Sequence, residues 1–127
     1  MIESTICTLL SKLRSKEITS VALVQAYLDE IEKQKELNAF ITVCTESALK
    51  AAQESDKRYA TGTARRLEGI PLAFKDLYCT NGIRTTAASK ILENFVPFYE
   101  STVTQRLLDE GAICIGKTNM DEFAMGS

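Results

Sequence analysis

Gly69-Ile70-Pro71-Leu72-Ala73-Phe74-Lys75-Asp76 is the stretch on which the fold turns. Pro71 and its apolar neighbours describe a short strand that starts just after a turn. Side chains alternate along a strand, so Ile70, Leu72 and Phe74 share one face, and Pro71, Ala73 and Lys75 the other. In an α/β fold helices cover both faces of the sheet, which would bury Lys75 as well. Burial disfavours the ammonium and lowers its pKa. A lysine that is neutral near pH 7 can act as a general base. The other reading of the same spacing is a strand-end lysine that snorkels to water.

Upstream, Ile6, Leu9, Leu10 and Leu13 keep the spacing of a helix face, and Val24, Tyr27, Leu28 and Ile31 repeat it in a longer helix. Thr19 or Ser20 is placed to cap the second helix. Residues 39–44, Ala-Phe-Ile-Thr-Val-Cys, are β-branched and aromatic and predict a short strand. Thr45 opens a third helix whose Ala48, Ala51, Ala52 and Ser55 form a face for close packing. Residues 60–68 predict a polar, flexible connection.

Downstream, Thr80-Asn81-Gly82 marks a turn. Residues 83–98 are irregular, and long aperiodic loops in compact domains often serve function. Thr102 and Gln105 fit a capping box, and Gly111 is placed to end the helix it opens. Residues 112–115 then read as a buried strand. Two helices followed by strand-helix-strand-loop-helix-strand predict an α/β layer architecture.

The chain has 127 residues, 45% of them hydrophobic, enough for a core of its own. Its net charge of -2 and lack of a like-charged block give no footprint for gripping nucleic acid directly. No apolar run approaches a membrane span, and residues 1–16 lack the pattern of a leader, so a soluble, cytoplasmic protein is expected. There is no histidine, which excludes Ser-His-Asp and Cys-His catalysis and histidine-ligated metal within this chain. Cys7, Cys44, Cys79 and Cys114 form no C-x-x-C pair and are expected to be buried free thiols, with no metal bound.

Gly111-Ala-Ile-Cys-Ile-Gly116-Lys117-Thr118 matches the phosphate-binding pattern G-x-x-x-x-G-K-[ST] letter for letter. That mechanism needs a strand before the first glycine, then a loop of free N–H groups, then a helix. Here a helix comes first, and Ala-Ile-Cys-Ile reads as the strand itself. Its N–H groups would already be engaged in the sheet, so the match is rejected as a nucleotide site.

Three segments carry a family resemblance: residues 67–76, residues 82–97, and residues 116–127 (Gly-Lys-Thr-Asn-Met-Asp-Glu-Phe-Ala-Met-Gly-Ser). Together they resemble the amidase-signature family. The last two are most similar to the A subunits of glutamyl-tRNA(Gln) amidotransferases. The resemblance implies the N-terminal part of the amidase-signature fold, a mixed sheet covered by helices with two leading helices. Residues 1–127 would be the N-terminal portion of one amidase domain, truncated before its Gly/Ser-rich signature segment.

The resemblance also implies chemistry. The family uses a Ser-Ser-Lys triad, in which a neutral lysine takes a proton relayed through a bridging serine and a second serine attacks the amide carbon. Lys75 matches the family lysine. Both serines belong to the segment beyond this chain; Ser89, Ser101 and Ser127 do not match them, so the chain by itself is expected to be inactive. Met125 and Gly126 are candidates for substrate contact, the alternative being that Phe123 and Met125 are core and Gly126 a turn. Asp76 is expected to orient backbone or pair with a basic group, and Arg84 to hold the irregular loop.

The implied function is ammonia supply from glutamine within a tRNA-dependent amidotransferase that converts Glu-tRNA(Gln) to Gln-tRNA(Gln). The implied partners are B and C subunits. ATP and Mg would be used by the B subunit, tRNA would be met only through it, and this chain would hold no cofactor. A general amidase of the same family and a non-catalytic truncated product are the alternatives.

Overall fold

The computed structural model describes residues 1–126; Ser127 lies outside the described residues. The elements run α1 (Ile6–Arg14), α2 (Ser20–Lys33), β1 (Phe40–Val43), α3 (Thr45–Thr61), β2 (Pro71–Lys75), α4 (Thr102–Asp109) and β3 (Ile113–Thr118). The strands form one mixed sheet in the order β1-β3-β2, with β1 antiparallel and β2 parallel to β3. This is the α/β architecture the pattern predicts, a small mixed sheet with helices packed on it and two helices leading.

The core has two linked parts. Val24 and Leu28 of α2 meet Ala48 and Ala52 of α3 and Ile113 and Ile115 of β3. The alanines let α3 approach closely, which is why the small-residue face is buried. Leu9, Leu10 and Leu13 of α1 pack with Leu23 and Ile70. Each fully buried leucine or isoleucine contributes on the order of 1.5–3 kcal/mol. Thr19 caps α2 by accepting from the Ala22 N–H, one of the two candidates. The Asp56 carboxylate, reaching from α3, accepts the Ser20 and Val21 N–H groups at 2.7 and 3.2 Å. This acidic group at the positive end of α2 ties the two helices together.

Several expectations are corrected. The cap of α4 is Ser101, whose hydroxyl accepts from the Thr104 N–H; Thr102 is already the first helical residue, so the capping-box assignment is one position late. Gly111 does follow this helix in the left-handed conformation, at φ +94°. The last strand runs on to Thr118, beyond the predicted 112–115. The connection after α3 starts at Gly62, and its end is pinned. Glu68 is fully buried and accepts from Arg65 Nε at 2.7 Å, Arg65 Nη2 at 3.0 Å, the Arg65 N–H at 3.1 Å and Ser55 Oγ at 2.6 Å. Polar composition predicts a loose loop; the folded chain uses it as a clasp onto α3. The four cysteines are free thiols as expected, but only Cys44 is buried, and Cys7 is exposed.

The phosphate-loop match is resolved by geometry. Gly116, Lys117 and Thr118 lie inside β3 and pair with strands on both sides. Gly116 is needed because β1 crosses so close: an added Cβ would stand 2.6 Å from the Thr42 carbonyl oxygen and 2.8 Å from Phe40 Cδ1.

Candidate active site

The parallel register of β2 and β3 decides where the charged side chains go. Phe74 pairs with Lys117, and Lys75 with Thr118. Paired residues share a face, so Phe74 and Lys117 point one way, and Lys75 and Thr118 the other. Asp76 continues the alternation onto the Phe74 face.

The expected burial of Lys75 is not what the structure shows. The alternation holds, with Phe74 buried, but Lys75 is exposed. Helices α2 and α3 cover the sheet beside Ile113 and Ile115, and the row Pro71, Ala73, Lys75 runs out from under them. The fully buried lysine is Lys117. Its ammonium donates to the Tyr78 carbonyl at 2.9 Å, to Thr80 Oγ1 at 3.0 Å and to Thr85 Oγ1 at 2.9 Å, and lies 3.3 Å from Asp76 Oδ1. Asp76, also fully buried, accepts on Oδ2 from the Thr86 N–H at 3.0 Å and from the Thr86 hydroxyl. Asp76 thus pairs with a basic group and orients backbone, as expected of it.

This network carries the irregular loop. The Asp76 carbonyl accepts the Ala87 N–H at 2.9 Å, and the Ala87 carbonyl accepts the Phe123 N–H at 3.0 Å. Ser89 Oγ donates to Glu122 Oε1 at 2.8 Å. Arg84 donates to the Glu93 and Ile41 carbonyls at 3.2 and 3.3 Å, holding the loop as expected. Ala87 and Ala88 at φ 49° and 56°, and Phe123 and Ala124 at φ 53° and 55°, are left-handed although none is glycine. Such conformations cost energy and persist where neighbours over-determine them.

The candidate residues are therefore linked through a chain of backbone hydrogen bonds. Lys75 ends β2, the next residue anchors the loop, and the loop holds the segment with Met125 and Gly126. Met125 is 82% exposed and Phe123 39%, so neither is core among the described residues. The Gly126 N–H donates to Asp121 Oδ2 at 2.6 Å. That bond chiefly holds the Asp121 carboxyl below the usual carboxylate range, and the charge of nearby Lys75 adds a smaller pull in the same direction. Among the described residues no group of acidic, cysteine or histidine side chains is arranged to hold a metal ion. No helix among them is long and apolar enough to cross a membrane.

Sequence reasoning did not assign Lys117 this role. A signal was available: one lysine inside the buried run Ile113-Cys-Ile-Gly-Lys117, with threonines 80, 85 and 86 upstream to serve it. The phosphate-loop match masks that signal by offering the same lysine a different role.

Comparison with known proteins agrees with the motifs. The A subunit of glutamyl-tRNA(Gln) amidotransferase from Rickettsia bellii (strain OSU 85-389) is 57% identical over 118 residues, 93% of this chain and 24% of its own length. The protein of the same name from Hyphomonas neptunium is 54% identical over 123 residues, 97% of this chain and 25% of its own. The chain thus spans about a quarter of the length of these relatives. Among solved structures, native peptide amidase from Stenotrophomonas maltophilia superposes with a TM-score of 0.90 at 34% identity, covering 95% of this chain and 26% of that one. The Amidase family model matches residues 22–127, and with the Lys75 strand, the docked 84–89 loop and the shared fold in place, this chain belongs to the Amidase family.

Proposed function

We propose that residues 1–127 are the N-terminal portion of the ammonia-supplying A subunit of a glutamyl-tRNA(Gln) amidotransferase. The observation that carries this reading is the identity of 54–57%, over nearly the whole chain, with relatives of that name. In the full-length protein Lys75 is the base. Hydroxyl partners from the following segment take their place against its exposed amine, and that same segment shields the amine from water. The nucleophilic hydroxyl attacks the side-chain amide carbon of glutamine and its proton passes through the bridging hydroxyl to Lys75. The C–N bond breaks as Lys75 returns that proton to the nitrogen, which leaves as ammonia, and water then cleaves the ester to glutamate. Met125 and Gly126 border the substrate. ATP and Mg serve the B subunit, which amidates Glu-tRNA(Gln), and a C subunit completes a cytoplasmic assembly.

The test uses the full-length protein co-expressed with B and C subunits. Glutamine hydrolysis should be lost in Lys75→Ala, while the isolated 127-residue chain should release no ammonia. Full glutaminase activity in Lys75→Ala would refute the assignment. A lone, active homodimer that ignores B and C subunits would favour a general amidase.

A further inference from the structure

Lys117 is a fully buried cation that the proposed chemistry does not use. A fully buried ammonium is expensive, and an ion pair buried in a core is often no more stabilising than apolar residues of the same shape. Here the chain surrounds that ammonium with the Tyr78 carbonyl, two threonine hydroxyls and the Asp76 carboxylate. All four sit on the segment 76–85, which runs between the end of β2 and the strained loop. The pair therefore reaches the backbone beside Lys75 and the loop that docks residues 121–126.

We propose that Lys117 is a positioning residue for the amide-cleaving site. Its ammonium, acting through Asp76, Thr85 and Thr86, sets the end of β2 that carries Lys75 and the 84–89 loop that docks the segment with Met125 and Gly126. The connection is continuous. Lys117 holds Thr85 and faces Asp76; Asp76 holds Thr86 by N–H and hydroxyl; Thr86 Oγ1 accepts the Ala88 N–H at 3.1 Å. The Ala87 carbonyl then holds Phe123. Four left-handed, non-glycine residues at 87, 88, 123 and 124 lie along this path and need such enforcement. The inference rests on Lys75 being the base.

The experiment is steady-state glutamine hydrolysis by the full-length protein with its partner subunits, with kcat expressed per folded molecule. Lys117→Met should lower kcat about 100-fold with KM nearly unchanged, the scale expected when a reacting group is displaced by about 1 Å. Thr86→Val removes one hydroxyl from the path without leaving a bare charge. It should lower kcat in the same direction, and Thr86→Ser should restore it. If Lys117→Met does not fold, the Thr86 pair decides. A merely structural role predicts a lower unfolding midpoint with unchanged kcat per folded molecule. Wild-type kcat in folded Lys117→Met, or in Thr86→Val, with Lys75→Ala inactive, overturns the positioning role alone. Wild-type activity in Lys75→Ala overturns the base assignment, and the positioning role with it.

Discussion

Replacing Lys117 by methionine should be among the most destabilising single changes in this part of the protein. Both members of the Lys117–Asp76 pair are fully buried, so water cannot replace the lost partner. Thr80 and Thr85 keep each other and the Ile83 carbonyl, so their hydroxyls remain partnered. The Tyr78 carbonyl loses its side-chain donor, and Asp76 is left a buried anion held on Oδ2 alone, since Oδ1 accepts no hydrogen bond and faces only the Lys117 charge. Removing one member of a buried pair costs about 3–5 kcal/mol. Adding Asp76→Asn removes the stranded charge, so the loss in the double variant should fall short of the sum of the two single losses by a coupling of about 0.5–3 kcal/mol. Urea unfolding of the full-length wild type, both single variants and the double variant gives the cycle. Additive losses, or a Lys117→Met midpoint equal to wild type, would refute the claim that these two charges compensate each other.

Three further outcomes follow from the fold. Burial pushes the Glu68 carboxyl up, but the hydrogen bonds from Arg65 and Ser55 outweigh it and hold the group below its ordinary range. Its folded pKa is thus depressed. The stabilisation is full above the unfolded value of about 4.3 and is lost as pH falls through the folded value. Glu68→Gln should flatten that acid limb in pH-dependent unfolding, and an unchanged limb would count against the clasp. Gly116→Ala should cost about 1–3 kcal/mol by forcing β1 away, measured by chemical unfolding. Millimolar ATP should leave the melting temperature of the isolated full-length protein unmoved, because the G-K-T letters are strand residues.

Periodicity was sufficient for the elements: the apolar spacing in α1 and α2, the small-residue face of α3 and the alternation of β2 are local facts about consecutive side chains. Capping was legible only to within a residue, because Ser101 and Thr102 both carry a hydroxyl and the choice depends on where the preceding loop delivers the chain. The three motifs were enough to name the family, since its fold and its lysine travel together in the same letters.

Burial of charge is another matter, because it depends on which element lies across the strand. Lys75 and Lys117 both look like lysines at the end of an apolar run. The parallel register turns them to opposite faces, and the 76–86 segment closes over only one. Likewise, no spacing rule brings Ala87 to Phe123 or Arg65 to Glu68 in the roles they take. Short-range pattern determines what each segment can become; the dielectric and the partners around each charged group are set by long-range packing, which only the tertiary structure supplies.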